Sequence, residues 1–230
     1  MPGIVCHVLL CETNDGLALV DTGLGTFDYA DPSRMGPVRH LLRPEMNEAN
    51  SAIRQVEARG FGVDEYAAAV SDPDFLDRRR YRPQQWAHNR EIRIHEGRGD
   101  DWKFGLTAHG IDELPGIAMI PMRGHSRGHA AVAVDAGDRG LLVRAGNAVF
   151  DGSFVCETSP AGRPLAKIGT VRAFEKVIGR DRKAIKANHA TLARLQREDG
   201  VTVIPAHDKR IFDDLLNTAT RDDPGHCRLN

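Results

Sequence analysis

The 230-residue sequence predicts a single layered α/β domain with largely antiparallel sheets. Three observations predict it. Runs of strand and helix character follow the order strands, helix, strands, helices, strand, helix. Two hairpin signals, Asn14-Asp15-Gly16 and the stretch Asp135 to Arg139 with Gly137 in its turn, each separate two apolar runs. Apolar residues make up 41% of the chain, enough for a sizeable core, and no repeat, linker or low-complexity tract divides residues 1–230.

Ile4 to Glu12 is rich in Val, Leu and Cys and predicts the first strand; Leu17 to Val20 predicts its return. That strand runs into Asp21-Thr22-Gly23 and Gly25, a glycine-rich loop. Thr26 to Pro44 holds prolines and no period, and predicts a loop. Ala49, Ile53 and Val56 recur at helical spacing, so Glu48 to Arg59 predicts a helix stopped by Gly60. Tyr66 to Val70 predicts a short helix, and Phe75 to Tyr81 another that starts at Asp72-Pro73 and ends before Pro83. Ile92 to His95 and Phe104 to Ala108 predict short strands, and Gly116 to Met122 a longer one. Gly124 to Gly128 is a tight loop. Ala130 to Val134 and Gly140 to Arg144 form the second hairpin, followed by the loop Gly146-Asn147-Ala148. Beyond Pro164, Val171, Phe174, Val177 and Ile178 mark one apolar helical face, and Ile185, Leu192 and Leu195 another. Val201 to Ile204 predicts a buried strand, Pro205-Ala206-His207-Asp208 a loop, and Ile211 to Leu216 a last helix. The tail from Arg221 to Asn230 is expected to fray.

Composition narrows the function classes. Basic and acidic residues balance, 31 against 32, so bulk charge favours neither nucleic acid nor an anionic membrane as partner. No run of residues is long and apolar enough for a membrane span. Met1 to Leu10 lacks a basic leader and a small-residue cleavage site and is read as strand, not signal peptide. The four cysteines contain no CxxC and are read as thiols in a reducing compartment, so a cytoplasmic location is expected.

Four motifs carry a resemblance. They are Leu19-Val20-Asp21-Thr22-Gly23 at the end of the first strand pair, Gly124-His125-Ser126-Arg127-Gly128-His129, Ala145-Gly146-Asn147-Ala148 after the second hairpin, and Pro205-Ala206-His207-Asp208. In this order, over roughly Ile4 to Leu216, they resemble the metallo-β-lactamase superfamily; Arg82-Pro83-Gln84-Gln85-Trp86 is similar to its lactonase-like branch. The resemblance implies an αββα sandwich with a site at one edge. It also implies two zinc ions, held largely by an HxHxDH loop, whose bound hydroxide attacks an ester, lactone, thioester or β-lactam.

The departures matter as much. No HxHxDH occurs in the sequence, and the stretch between Gly60 and Arg82 that should carry it is short and holds no histidine. Asn147 stands where the family has a bridging aspartate, and an amide oxygen cannot bridge two cations as a carboxylate does. His125 and His207, which the resemblance assigns to different zinc ions, remain. The expectation is therefore a sandwich truncated in its first sheet, with no metal and no cofactor.

His125 and His207 are the candidate acid and base, or relics kept by packing. Asn147 is a candidate donor to a substrate carbonyl, or a polar replacement that hydrogen-bonds the two histidines. Asp21 supports the site, and His129 is read as a satisfied loop histidine at its rim. Tyr81, Trp86 and His88 are candidates for a remodelled pocket wall. The expected ligand is a small carbonyl substrate, and a homodimer could cover the edge that the truncation exposes. Three functions stay open: a metal-independent acid–base enzyme, a silent homologue that binds a ligand or partner, and a mononuclear metal hydrolase using His125, His207 and one new ligand.

Overall fold

Alternation along two neighbouring strands sets the layers. In β6 (Ala130–Asp135), Ala131 and Ala133 face one way and Val132 and Val134 the other; in β7 (Leu141–Gly146), Leu141, Val143 and Ala145 oppose Leu142 and Arg144. The first set packs with Leu192 and Leu195 in one core, and Val132, Val134 and Leu142 pack with Cys11, Ala18 and Ile117 in a second. Strands buried on both faces lie inside a layered stack, with helices on one side and a second sheet on the other.

The protein is seen in a computed structural model that describes residues 5–13, 16–21, 23–24, 26–35, 40, 46–52, 98–112, 114–222 and 227–228. The smaller sheet has β1 (Leu9–Thr13) between β2 (Gly16–Val20) and β9 (Cys227–Arg228). The larger runs β3 (Asp100–Trp102), β4 (Leu106–Gly110), β5 (Ile117–Pro121), β6, β7, β8 (Val201–Pro205) in spatial order. Its pairs are antiparallel except β7 with β8, which run parallel from Leu141 opposite Val201. Four helices are described: α1 (Thr26–Ala30), α2 (Gly169–Ile178), α3 (Arg182–Leu195) and α4 (Lys209–Asp222). The crossover from β7 to β8 passes through α2 and α3, as a parallel pair requires. Asp181 caps α3 by accepting from the N–H groups of Lys183 and Ala184. Among the described residues no helix is long and apolar enough to cross a membrane.

Several expectations need correcting. The loop predicted over Thr26 to Pro44 contains α1 and a 3-10 turn, Pro32–Met35, whose Ser33 N–H is held by Asp31 Oδ1 at 3.0 Å. The helix predicted from Glu48 begins as a 3-10 turn, Glu48–Asn50; Ser51 is extended and Ala52 is helical. The rest of that helix and the elements expected over Tyr66 to Val70, Phe75 to Tyr81 and Ile92 to His95 lie outside the described residues. The strand predicted from Phe104 starts at Leu106 because Phe104 takes φ 60 and turns the chain from β3 into β4. Of the tail expected to fray, the described residues extend α4 to Asp222 and place the backbone of Cys227 opposite Cys11 in a parallel strand pair. The predicted first strand pairs only from Leu9 onward, and Val5 to His7 leave the sheet for another task.

A candidate active site of two histidines and an amide

The parallel strands β7 and β8 end side by side, Gly146 opposite Pro205, and each is followed by a loop with one candidate residue. Asn147 follows β7, and His207 follows β8. The third candidate, His125, sits on the loop after β5. That loop is fixed from behind: the Gly124 carbonyl accepts from the N–H groups of Arg180 and Asp181, both at 2.9 Å. Asn188 Nδ2 on α3 donates to the carbonyls of Met122 at 3.2 Å and Arg123 at 2.9 Å. His125 is only 6% exposed.

The three side chains form a row. Asn147 Nδ2 lies 3.3 Å from His125 Nε2, and Asn147 Oδ1 lies 2.7 Å from His207 Nε2. His207 Nδ1 donates to the Val5 carbonyl at 2.8 Å, and the His7 N–H donates to the Ala206 carbonyl at 3.1 Å. Residues 5 to 7 therefore act as a strap that orients His207. The Val5 carbonyl only accepts, so a neutral His207 carries its proton on Nδ1 and its lone pair on Nε2. That lone pair cannot bond an amide oxygen. Either His207 takes a second proton and donates to Oδ1, or the Asn147 amide turns over. In the turned state its NH2 donates to His207 Nε2 and its oxygen accepts from His125 Nε2–H. Burial pulls the His207 pKa below its ordinary value; the Val5 hydrogen bond opposes this and the Arg144 charge adds to it. Burial thus favours the neutral ring, and with it the turned amide.

His129 fixes the backbone of Asn147. The Asn147 N–H donates to His129 Nε2 at 2.8 Å, leaving Nδ1–H to donate to the Met122 carbonyl at 3.1 Å. Gly146 makes this approach possible: its φ is 55, and a Cβ there would stand 2.8 Å from His129 Nε2. Phe150 closes the row from below, its ring centroid 5.5 Å from that of His125 and 4.9 Å, edge-on, from that of His207. Asp21, with φ 70, binds Arg144 Nη2 through Oδ2 at 2.9 Å. Tyr81, Trp86 and His88 lie outside the described residues.

Arg144 and Asp151, not singled out from sequence, complete the surroundings with Asp208 of the last motif. Arg144, on the inter-sheet face of β7, is 2% exposed. Its signal in the sequence is a charge inside the apolar run Leu141-Leu142-Val143-Arg144-Ala145. Asp151 and Asp208 form a buried network beside His207. Asp151 accepts from Arg172 Nε at 2.6 Å, Arg210 Nη2 at 3.0 Å, the Ile168 N–H and both Ser153 donors. Asp208 accepts from the Gly152 N–H at 2.8 Å and from Arg210. Burial works to raise the Asp151 pKa, but Arg172 and the N–H donors outweigh it and hold the carboxyl below its ordinary value. A cavity of about 610 Å3 lies elsewhere, between residues 153–160, α3 and β8, and is not lined by His125, Asn147 or His207.

The donors among the described residues do not by themselves suit a zinc ion. Among the described residues no three His, Cys, Asp or Glu side chains gather as a metal site. The two imidazoles of the row are both occupied by one neutral amide, and a buried guanidinium adds a like charge nearby.

A two-sheet sandwich with the candidate row at the ends of β7 and β8 defines the class of fold. A probable metallo-hydrolase of Mycobacterium tuberculosis is 34% identical over 255 residues, covering 94% of this chain and 78% of the relative, and one of Mycobacterium bovis matches to the same extent. A solved N-acyl homoserine lactone hydrolase, with its product N-hexanoyl-L-homoserine bound at the catalytic metal centre, superposes with TM-score 0.57 at 16% identity, covering 89% of this chain and 81% of that one. An enzyme solved in work on how mutations optimise a new function superposes with TM-score 0.60 at 16% identity, covering 91% and 83%. No protein-family model matches. The chain belongs to the family of these probable metallo-hydrolases and has the metallo-β-lactamase type of fold.

Proposed function

We propose that this chain is a metallo-β-lactamase-fold enzyme that performs acid–base chemistry on a small carbonyl substrate without a metal. The reactions in reach are cyclisation, isomerisation, elimination, or opening of a lactone or thioester, in bacterial small-molecule biosynthesis. The observation that carries this reading is the row itself: two Nε2 atoms converge on one amide, 3.3 and 2.7 Å away, in a chain that has no HxHxDH. His207, with Nδ1–H held by Val5, offers the Nε2 lone pair as base. His125 returns the proton from the opposite end, and the Asn147 NH2 steadies the substrate carbonyl. An amide that can turn over between two imidazoles suits both steps, since it donates to whichever ring is unprotonated. The alignment with the relatives adds support. Its 255 residues exceed the 230 of this chain, so the relatives carry residues with no counterpart here.

The relatives' name favours one rival, a metal-dependent hydrolase built on His125, His207 and a ligand from residues 53–97, which include His88 and His95. Two measurements decide. Metal content is determined on protein purified without chelator, and lactone and thioester turnover is compared for wild type, His125→Ala and His207→Ala. The expected result is no stoichiometric metal and a loss of about 100-fold or more in each histidine variant. A stoichiometric ion required for turnover establishes the rival. Undiminished turnover in both folded variants overturns the acid–base row.

A further inference from the structure

Beside the row, the face of β7 between the sheets holds hydrogen-bonding capacity that no described residue uses. Arg144 Nη2 donates to the His7 carbonyl and, at 2.9 Å, to Asp21 Oδ2. Its Nε and Nη1 are buried without a hydrogen-bond partner among the described residues, and together they carry three N–H groups. His7 is 2% exposed and stacks on Phe212 at 4.9 Å between centroids, and neither of its ring nitrogens has a hydrogen-bond partner among the described residues. A buried donor left unmatched costs about 1–3 kcal/mol, and more on a charged group. An apolar side chain at position 144 would avoid that cost, so the arginine calls for a use.

Asp21 supplies the second observation. Its φ of 70 is a region that costs an L residue about 1–3 kcal/mol. The strained backbone lets Oδ1 accept from the Gly23 N–H at 3.0 Å while Oδ2 meets the guanidinium. Asp21 is 45% exposed where Arg144 is 2% exposed, so the carboxylate approaches the buried cation from the solvent side.

We propose that Arg144, with His7 beside it, is an anion subsite that takes a carboxylate group of the substrate, and that Asp21 is the placeholder on the guanidinium in the free protein. A carboxylate bridges two guanidinium nitrogens, Nη1 with Nη2 or Nε with Nη2. Either mode shares Nη2, the nitrogen that Asp21 now occupies, so ligand entry displaces Asp21 toward water. One buried positive charge neutralises one negative charge, which selects a monoanion over a phosphate dianion. The subsite deepens the proposed function by naming a substrate class, yet binding there needs no turnover.

The test is a titration of the 15N-labelled full chain with sodium acetate, with sodium phosphate and sodium chloride as controls at matched ionic strength. The Arg144 Nε–H resonance and the Tm are followed together. Acetate is expected to shift the resonance saturably and raise the Tm by mass action, with chloride and phosphate silent. Asp21→Asn, which weakens the placeholder, is expected to tighten acetate binding several-fold, and Arg144→Lys, which keeps the charge but loses the fork, to abolish it. His125→Ala is expected to bind acetate like wild type, so loss of turnover there leaves this subsite standing. No saturable response to acetate in wild type and Asp21→Asn overturns the proposal, whether or not Arg144→Lys folds. A response to phosphate but not acetate overturns the carboxylate assignment.

Discussion

Two buried charge clusters flank His207, and they are built on opposite terms. In the first, Asp151 and Asp208 have their oxygens matched by Arg172, Arg210, Ser153 and backbone N–H groups. In the second, Arg144 and His7 keep nitrogens that nothing among the described residues matches. A matched buried network holds its parts in one arrangement, because removing any member strands the others. An unmatched one destabilises the free protein and is relieved when a partner arrives. The first cluster ties α2, α4 and the loop after β7 together; the second faces the strap and the strained Asp21.

Variants can break or sharpen this contrast. The largest effect is expected from Asp151→Ala, which takes a buried carboxylate from the half-buried Arg172 and Arg210 and leaves the Ile168 and Ser153 N–H groups without their acceptor, and should cost about 3–5 kcal/mol in urea unfolding. A change under about 1 kcal/mol would dissolve the distinction.

The second is the acid limb of stability. Burial, with the Arg144 and His207 charges adding, pushes the His7 pKa from 6.5 down to about 3. The unfolded chain therefore binds a proton that the folded one refuses. Stability from this group is full above pH 6.5 and is lost as pH falls toward 3, by up to about 1.4 kcal/mol per pH unit. His7→Phe, which keeps the stack on Phe212, should flatten that slope in urea midpoints measured across the same window.

Gly146→Ala comes third. A methyl 2.8 Å from His129 Nε2 on a φ of 55 should cost about 1–3 kcal/mol and move the Asn147 side-chain NH2 resonances. An unshifted NH2 pair would show that His129 does not set the row. The smallest effect is expected from Arg144→Met. The variant removes the unmatched donors, and Asp21 is half-exposed and can turn to water, so unfolding should change by less than about 1 kcal/mol. A loss as large as that of Asp151→Ala would mean that Arg144 is a structural lock after all.

The elements built on local pattern were readable in advance. The hairpin of β6 and β7, the α2 and α3 faces and the β8 strand follow from periods of two and 3.6 and from Gly137 in its turn. Elements whose stability comes from elsewhere were not. Cys227–Arg228 forms a strand only because β1 offers it an edge, and α1 hides among prolines. In the site, the glycine-histidine turn and the loops after β7 and β8 marked His125, Asn147 and His207, but nothing marked His7 or said how Arg144 is used.

The sequence by itself determined the layered class and the loops that carry His125, Asn147 and His207. Those are properties of neighbours along the chain. Only the tertiary structure decided that both imidazoles meet one amide, that residues 5 to 7 leave the sheet to hold His207, and that Arg144 is buried beside His7 and Asp21. Arg144 lies 137 residues from His7 and 123 from Asp21. Such contacts arise from sheet stacking, and no local period encodes them.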